Sequence, residues 1–441
     1  MAFNLAQPTS VGAKAFMIGA IVLVLLIPLS MLRGLISERS GLREQAYSKV
    51  AQGWGGDLVI GGPMLRIPTE QTISDGKENR IVRRDIYLLP AQLDLDSELR
   101  MEAEPRYVGI YAVPVFLASV HVSGQFDLAS LQPLLDQPGV TYRWDEARLR
   151  LPVSDVRSLR EVERARLALN DLKLGPAGQG LYVGIEAPVD ASVFTAGKSA
   201  AFDFKVVLAG TRNYSLLPLG SVTTASLRSD WPHPSFQGAF LPATREISEQ
   251  GFDAQWQVLE LNRGYRQVWM ENEVAEPTLL SSSFGVGLYQ PVDAYQRAER
   301  AIKYAALFIA LTFLTFFAWE QLSQNRIHPL QYLLVGVALS VFYLLLIALS
   351  EHIDFMLAYL IAAVALVALV GAYLSGALRS RARGAIAAGA MSLVYGLLYV
   401  LILSEDYALL LGAIILFMAV AAVMLVTRRV DWYGASELQN D

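Results

Sequence analysis

The residues best suited to take part in a reaction lie in two similar corners between apolar stretches in the C-terminal third of the chain. The first corner is Ser-Glu-His-Ile-Asp at 350–354, and the second is Ser-Glu-Asp at 404–406. Carboxylates beside a histidine can exchange protons, and ionisable groups at membrane depth typically mark a transport path. The same residue types are also typical of the point where one helix ends and the next begins.

The helix-end interpretation needs only local interactions. A serine at a helix start accepts hydrogen bonds from free backbone N–H groups, and acids in the first turn favour the positive end of the helix dipole. We therefore predict that Ser350 and Ser404 begin new helices. The acids expected in the first turns are Glu351, Asp354, Glu405 and Asp406.

A second candidate is the segment DWPHPSFQGAFLP at 230–242, where Trp231, His233 and Phe236 lie around two prolines. These residues are a candidate partner-binding loop, with an aromatic and imidazole pocket for a glycan, a peptide or a partner loop. The structural interpretation, which we favour, is a rigid surface loop whose two aromatic rings fasten it to the domain. A metal site is not favoured in this segment, because no third ligand lies nearby in the sequence.

A third candidate is the pair Glu320 and His328, in AWEQLSQNRIHPLQY. Such a pair is suited to a zinc or proton site, but no HExxH motif accompanies it. A glutamate that ends one helix and Pro329 that begins the next fit a simple turn, which is the interpretation we favour. The chain also has no GxSxG, Walker A or dinucleotide motif, so we predict no catalytic, cofactor-binding or metal-binding residue.

Composition narrows the class of protein. Of 441 residues, 54% are hydrophobic and only 17% are charged, which is too apolar for an ordinary soluble protein. The formal net charge of −5 predicts no basic surface for nucleic acid. The absence of cysteine excludes disulfides and thiolate metal sites.

Apolar runs of roughly 20 residues, the length that a membrane helix needs, predict six transmembrane helices. They lie at about 15–33, 302–320, 330–350, 354–374, 385–404 and 407–427. The first has no small-x-small cleavage site after it, so we interpret it as an uncleaved anchor. No ionisable residue lies in the middle third of any span, which argues against a pump.

Charge in the short loops predicts the orientation. Arginines follow the second, fourth and sixth spans, whereas the alternate corners carry acids. The positive-inside rule then places the N-terminus (1–14) and the tail (428–441) in the cytoplasm. Arginines and a lysine after the first span oppose this assignment, but the later loops agree three times.

The segment 34–298, between the first and second spans, is predicted to be a large periplasmic domain. It begins with a helical stretch that ends near Gly53, and then shows short alternating apolar runs bounded by Gly, Pro, Asn or Asp. This pattern predicts a mainly antiparallel β fold, either a sandwich or a partly closed barrel. One internal helix is predicted at 156–172, in VRSLREVERARLALNDL.

Several short sequence segments, taken in order, indicate a family. They are GGPMLRIP (61–68), GIYAVPVF (109–116), LPLGSVTTASLRSDWPHPSFQGAFLP (217–242), GFDAQWQVLELNR (251–263), SEDYALLLG (404–412) and TRRVDWY (427–433). Over nearly its whole length the chain resembles the CreD family of inner-membrane cell envelope integrity proteins. The resemblance implies a large periplasmic domain, a role in envelope maintenance and a link to a two-component regulon for antibiotic and bacteriocin response. It implies no established reaction, substrate or catalytic residue.

Two functions follow as hypotheses. The first is a non-enzymatic inner-membrane protein that supports envelope integrity, whose β domain binds a lipid, a wall component or another envelope protein. The alternative is a conduit for a lipid or peptide through the helical bundle. An envelope hydrolase has the least support, because no catalytic constellation is visible. The bilayer is the expected partner in every case, no nucleic acid is expected, and the oligomeric state stays open.

The orientation adds a further expectation for the two corners. Both would face the periplasmic side, where the β domain could rest on them. The residues of this candidate docking rim are Glu351, His352, Glu405 and Asp406.

Overall fold

The computed structural model describes residues 11–74, 79–131, 139–177, 183–190, 192–195, 199–288, 294–323, 327–377, 379–404 and 407–428. The chain divides into two compact units. The helical unit comprises residues 1–42 and 292–441, and the β-rich unit comprises residues 43–291.

The helices of the described residues are α1 (Val11–Trp54), α2 (Ser192–Thr195), α3 (Glu276–Leu280), α4 (Ala294–Ser323), α5 (Pro329–Ser350), α6 (Phe355–Ala377), α7 (Arg381–Leu403) and α8 (Ala408–Thr427). Within these residues, five helices are long and apolar enough to cross a membrane: α1, α4, α5, α6 and α7. In α8 the apolar stretch is Ala408–Met418, which is shorter than these five. The sixth span therefore stays a prediction.

Helix α1 is longer than a membrane span. It runs without interruption for 44 residues, through Pro28, so the predicted anchor and the helical stretch after it form one helix. The helix ends where predicted, because Gly55 follows Trp54 with a φ of +134°. A Cβ atom at Gly55 would lie 2.3 Å from the carbonyl oxygen of Ala209, so only glycine fits this turn.

The corner between α5 and α6 differs from the prediction. Ser350 is the last residue of α5, and its Oγ donates back to the carbonyl of Ile347 at 2.9 Å. The cap of α6 is Asp354, whose Oδ1 accepts from the amide of Met356 at 2.8 Å. The chain needs three residues to turn before α6 begins, so the serine is too far upstream to cap it.

Ser404 also ends a helix. It is the C-cap of α7, and its Oγ donates to the carbonyl of Val400 at 2.8 Å. The prediction that the two serines begin helices was wrong, because each hydroxyl bonds to the preceding turn instead. Glu405 and Asp406, which were predicted in the next first turn, lie outside the described residues.

Helices α6 and α7 pack closely through glycine. A Cβ atom at Gly371 would lie 3.0 Å from the Cβ atom of Ala388, and one at Gly384 would lie 2.8 Å from the carbonyl oxygen of Gly371. Small residues are what allow two membrane helices to approach this closely. Near one end of the pair, the Tyr359 hydroxyl donates to the carbonyl of Tyr395 at 2.6 Å and so joins the two helices.

The β-rich unit is made of short strands. In the described residues they are β1 (Leu58–Gly61), β2 (Met64–Ser74), β3 (Asn79–Leu88), β4 (Gln92–Met101), β5 (Arg106–Val108), β6 (Tyr111–Val113), β7 (Phe116–Asp127), β8 (Val140–Tyr142), β9 (Arg148–Pro152), β10 (Leu159–Leu167), β11 (Asn170–Asp171), β12 (Gly175–Pro176), β13 (Gly184–Pro188), β14 (Ser199–Gly210), β15 (Asn213–Leu217), β16 (Val222–Ser229), β17 (Pro234–Gly238), β18 (Thr244–Ser248), β19 (Gly251–Leu259), β20 (Val268–Met270) and β21 (Phe284–Leu288). Single-turn 3₁₀ helices cover Leu128–Leu131, Trp144–Glu146, Val156–Ser158 and Glu260–Asn262.

These strands form open sheets. The largest has eight strands in the order β11-β10-β14-β7-β4-β16-β19-β18. A seven-stranded sheet has the order β12-β13-β9-β2-β3-β20 with β8 beside β2, a four-stranded sheet has the order β1-β15-β21-β17, and β5 pairs with β6. Pairing is antiparallel except between β1 and β15 and between β4 and β16. The described strands close no barrel, and the sandwich interpretation stays a prediction.

Strand β4 shows how the largest sheet separates its two faces. Leu93, Leu95, Ser97 and Leu99 are buried, whereas the alternate residues Asp94, Asp96 and Glu98 are exposed. Successive side chains of a strand point to opposite faces, so this alternation puts leucine in the core and leaves the other face open. Residues from all three larger sheets contribute to the same hydrophobic core.

The helix predicted at 156–172 was wrong. Asp155 accepts from the amide of Arg157 at 2.9 Å and caps only the single 3₁₀ turn Val156–Ser158, after which the chain becomes strand β10. A hydrogen bond from the Arg157 side chain lowers the pKa of Asp155. Arginine, glutamate and alanine favour helices, but residues 160–164 are exposed and offer no apolar stripe. Pairing with β14 therefore decides the conformation.

Candidate functional site

The loop singled out from the sequence is held by its own aromatic rings. The Nε1 of Trp231 donates to the carbonyl of His233 at 3.1 Å. Phe236 lies in β17, and its ring packs 5.7 Å from Phe252 and 5.9 Å from Trp256. Two of the three predicted residues thus fasten the loop, as the structural interpretation expected. His233 is the one of the three whose side chain is exposed.

A groove of about 350 Å³ lies on the solvent face of the eight-stranded sheet. We call it the polar groove, after the side chains that line it: Asp94, Asp96, His121, Ser123, Thr224, Ser226, Gln255 and Gln257. They come from the four adjacent strands β7, β4, β16 and β19. Strand pairing therefore brings together residues that are up to 163 positions apart in the chain.

The register of these strands arranges the polar groove in two rows. The first row runs Ser123, Asp94, Thr224, Gln257 across the four strands. The second row, two residues along, runs His121, Asp96, Ser226, Gln255. Each row has a carboxylate and a hydroxyl on its two central strands, with an amide at one end, so hydrogen-bond donors and acceptors alternate across the sheet.

Hydroxyl groups orient both carboxylates. Thr224 Oγ1 donates to Asp94, and Ser226 Oγ donates to Asp96 Oδ1 at 2.5 Å. Arg228 Nη2 also contacts Asp96, at 3.2 Å from Oδ1 and 3.3 Å from Oδ2. Because the aspartates are exposed and pre-oriented, each keeps lone pairs for a ligand hydroxyl or amide.

A histidine stands at the end of the second row. His121 Nε2 lies 3.4 Å from Asp203 Oδ1 on the next strand, β14. The sequence alone does not bring this histidine or the two aspartates together, since side chains on different strands cannot be matched without the strand register. The alternation along β4 was the available signal for a shared face, but the alternation cannot identify the neighbouring strands.

Trp256 connects the polar groove to the predicted loop. It is only 3% exposed, lines the groove and packs against Phe236. Its Nε1 donates to the carbonyl of Phe240 at 3.2 Å, which fixes the ring. The loop and the groove therefore share one buried side chain.

Comparison with known proteins defines the family. The sequence model of a family described as Inner membrane protein CreD matches residues 10–433. The curated Inner membrane protein CreD of Escherichia coli (strain K12) is 35% identical over 430 residues, which cover 94% of this chain and 92% of that protein. The chain belongs to the CreD family. The resemblance noted in the sequence is thereby confirmed.

The membership and the apolar helices agree on location. This CreD-family protein is a multi-pass protein of the inner membrane, with transmembrane helices and a large β-rich region. The polar groove and the loop belong to that β-rich region.

The first corner of this CreD-family chain is occupied by contacts within the helical unit. The carboxylate of Glu351 accepts from the Tyr295 hydroxyl at 3.0 Å and lies 3.5 Å from Arg39 Nε. Its side chain is only 10% exposed, whereas His352 is exposed. Glu351 thus joins α1 and α4 to the end of α5. The candidate docking rim, of which Glu405 and Asp406 lie outside the described residues, stays a prediction.

The pair Glu320 and His328 is not brought together as a site. His328 is the N-cap of α5, and its Nδ1 accepts from the amide of Leu330 at 3.2 Å. Glu320 forms an ion pair with Lys14 of α1 instead. The part of this CreD-family chain that the structure describes contains no group of three or more potential metal-binding side chains.

Proposed function

We propose that this CreD-family protein supports cell envelope integrity as a non-enzymatic inner-membrane protein. Its β-rich unit lies in the periplasm and binds an envelope component in the polar groove. The arginines of the short loops after the second, fourth and sixth predicted spans support the periplasmic placement, because the positive-inside rule then leaves residues 43–291 outside. The observation that carries the proposal is the pair of rows, each with a hydroxyl-oriented carboxylate on neighbouring strands.

The chemistry of the rows favours a glycan. A sugar chain presents hydroxyl and amide groups along its length, and alternating carboxylates, hydroxyls and amides can pair with them. Strands lie about 4.8 Å apart, so a row of four strands is about 14 Å long and matches a ligand of more than one sugar ring. The volume of about 350 Å³ is at the low end of the range for small-molecule sites, ~300–1,000 Å³. A wall glycan would therefore lie partly in the groove and partly in solvent.

The test is a binding measurement on the full chain in nanodiscs, with soluble disaccharide-peptide fragments of the cell wall as the ligand. We expect the double variant Asp94→Asn, Asp96→Asn to bind at least 10-fold more weakly than the unaltered chain. The reason is that both charge-assisted acceptors are lost while the shape is kept. Calorimetric titration gives the dissociation constants.

The chain offers a matched control on the same strand. Glu98 lies on the exposed face of β4, two residues beyond Asp96, and its side chain pairs with Arg100 outside the groove. Glu98→Gln should leave binding within a factor of two. Equal affinities of the double variant and the unaltered chain, or no binding by either, would contradict the proposal.

A further inference from the structure

A second groove runs along the outer surface of the helical unit, between α6 and α7, with a volume of about 650 Å³. Its lining residues recur every three or four positions on both helices, so it follows them lengthwise. We call it the acyl groove. Its central walls are Leu360, Val364, Ala368 and Ala372 on α6 and Ala385 and Ala388 on α7. Apolar and small side chains make up these walls.

The dimensions of the acyl groove fit an extended chain. From Met356 to Ser375 the groove follows 19 residues of helix, which at a rise of 1.5 Å is about 28 Å. The hydrocarbon core of a bilayer is about 30 Å thick and each leaflet supplies half of it, so an acyl chain anchored at one surface fills the half of the groove nearest that surface. Spread over that length, 650 Å³ corresponds to a cross-section of about 23 Å², far below that of a helix about 10 Å wide.

Helix packing explains why the groove is narrow. Gly371 and Gly384 lie at the α6–α7 contact, where an added Cβ atom would collide with the facing helix. These two glycines are thus already used in the contact between α6 and α7. A flexible chain fills such a cleft better than a second helix does.

The two ends of the acyl groove differ in chemistry. Tyr359, Tyr395 and Tyr399 line one end, and Arg381 lines the other. The Arg381 side chain is exposed, and among the described residues no carboxylate lies within ion-pair distance of it. Arg381 belongs to the loop that the positive-inside rule places at the cytoplasmic surface, at the level of lipid headgroups. A guanidinium there can bind a phosphate through two parallel hydrogen bonds.

We propose that the acyl groove is a specific site for an anionic phospholipid of the inner leaflet. One acyl chain lies between α6 and α7, and the phosphate contacts Arg381. This site is independent of the polar groove and goes beyond the proposed glycan binding. It makes the helical unit a lipid-binding element in addition to an anchor.

The experiment is native mass spectrometry of the full chain in mild detergent, titrated with phosphatidylglycerol or with phosphatidylcholine of identical acyl chains. The unaltered chain should retain one phosphatidylglycerol molecule at least 5-fold more strongly than phosphatidylcholine. Ala368→Phe fills the groove and should weaken retention of both lipids at least 10-fold. Arg381→Gln should remove the preference for phosphatidylglycerol and leave phosphatidylcholine retention unchanged.

Two matched controls distinguish the site from a general lipid surface. Ala365 is exposed on α6 but does not line the groove, so Ala365→Phe adds the same ring elsewhere. Arg428 is an exposed arginine outside the groove, so Arg428→Gln removes the same charge elsewhere. Both variants should retain lipid as the unaltered chain does. If Ala368→Phe does not fold, the variant Ala372→Leu, which narrows the same groove, is used in its place.

Three results would overturn the proposal. One is equal retention by Ala368→Phe, Ala365→Phe and the unaltered chain. Another is a preference for phosphatidylglycerol that persists in Arg381→Gln. The third is a change in the dimer population of Ala368→Phe without any change in bound lipid, which would make the groove an interface between helices.

Discussion

Glu186→Leu should lower the free energy of unfolding of the β-rich unit by about 3–5 kcal/mol, because it removes the carboxylate that faces a buried charge. Arg150 is completely buried, and its Nη2 lies 2.7 Å from Glu186 Oε2. Its Nε also donates to the same oxygen, at 3.2 Å. The two residues are direct cross-strand partners in β9 and β13. A guanidinium that loses its carboxylate there loses the ion pair that offsets the cost of burying its charge.

The measurement is denaturant unfolding of the full chain in detergent, followed by tryptophan fluorescence. The double variant Arg150→Met, Glu186→Leu should recover most of the loss, since apolar side chains of similar volume can replace a buried pair. Asp171→Ala is the control for an exposed pair. Asp171 is 78% exposed and pairs with Arg166, so its loss should cost less than about 1 kcal/mol. If Glu186→Leu costs no more than Asp171→Ala, the pair does not stabilise the unit.

Glu320→Ala should destabilise the helical unit by about 3–5 kcal/mol, because three groups lose one buried acceptor. Glu320 is 5% exposed and forms an ion pair with Lys14. It also accepts from the amide of Ile327 at 3.0 Å and from the Tyr332 hydroxyl at 3.1 Å. One side chain thus ties α1, α5 and the connection after α4 together at one end of the bundle. Thermal unfolding in detergent should show a large drop in Tm.

The controls separate the charge from the hydrogen bonds. Lys14→Met with Glu320→Gln removes both charges and keeps an acceptor for Tyr332, so it should be more stable than Glu320→Ala. Glu299→Ala breaks an exposed pair with Lys303 on the same helix, α4, and should cost less than about 0.5 kcal/mol. A Tm of Glu320→Ala close to that of Glu299→Ala would show that the buried pair contributes nothing.

The helices of the C-terminal half were predicted closely. The predicted spans 330–350, 354–374 and 385–404 correspond to Pro329–Ser350, Phe355–Ala377 and Arg381–Leu403. Hydrophobic runs bounded by polar corners carry this information, because a membrane helix satisfies its own backbone hydrogen bonds. The helix caps were harder to predict, since the choice between Ser350 and Asp354 depends on how many residues the turn needs.

The partners of the polar side chains were even harder to predict from the sequence than the helix caps. Asp94 and Asp96 are conspicuous in the sequence, but their partners Thr224 and Ser226 are 130 residues away. Lys14 and Glu320 are 306 residues apart, and the sequence analysis considered Glu320 only with the nearby His328, as a candidate site or, the favoured interpretation, a simple turn. In both cases a polar side chain can pair with many others in the sequence, and only the packing of the folded chain selects its partner.

The class of protein, the apolar helices, the β-strand pattern of the middle region and the family could therefore be predicted from the sequence. These are properties of composition, period and order along the chain. The folded chain was needed to show that residues 159–167 form a strand, that four strands present two polar rows, and that α6 and α7 leave a long groove. Strand pairing and helix contact depend on partners distant in the chain, because their hydrogen bonds and packing override local preference.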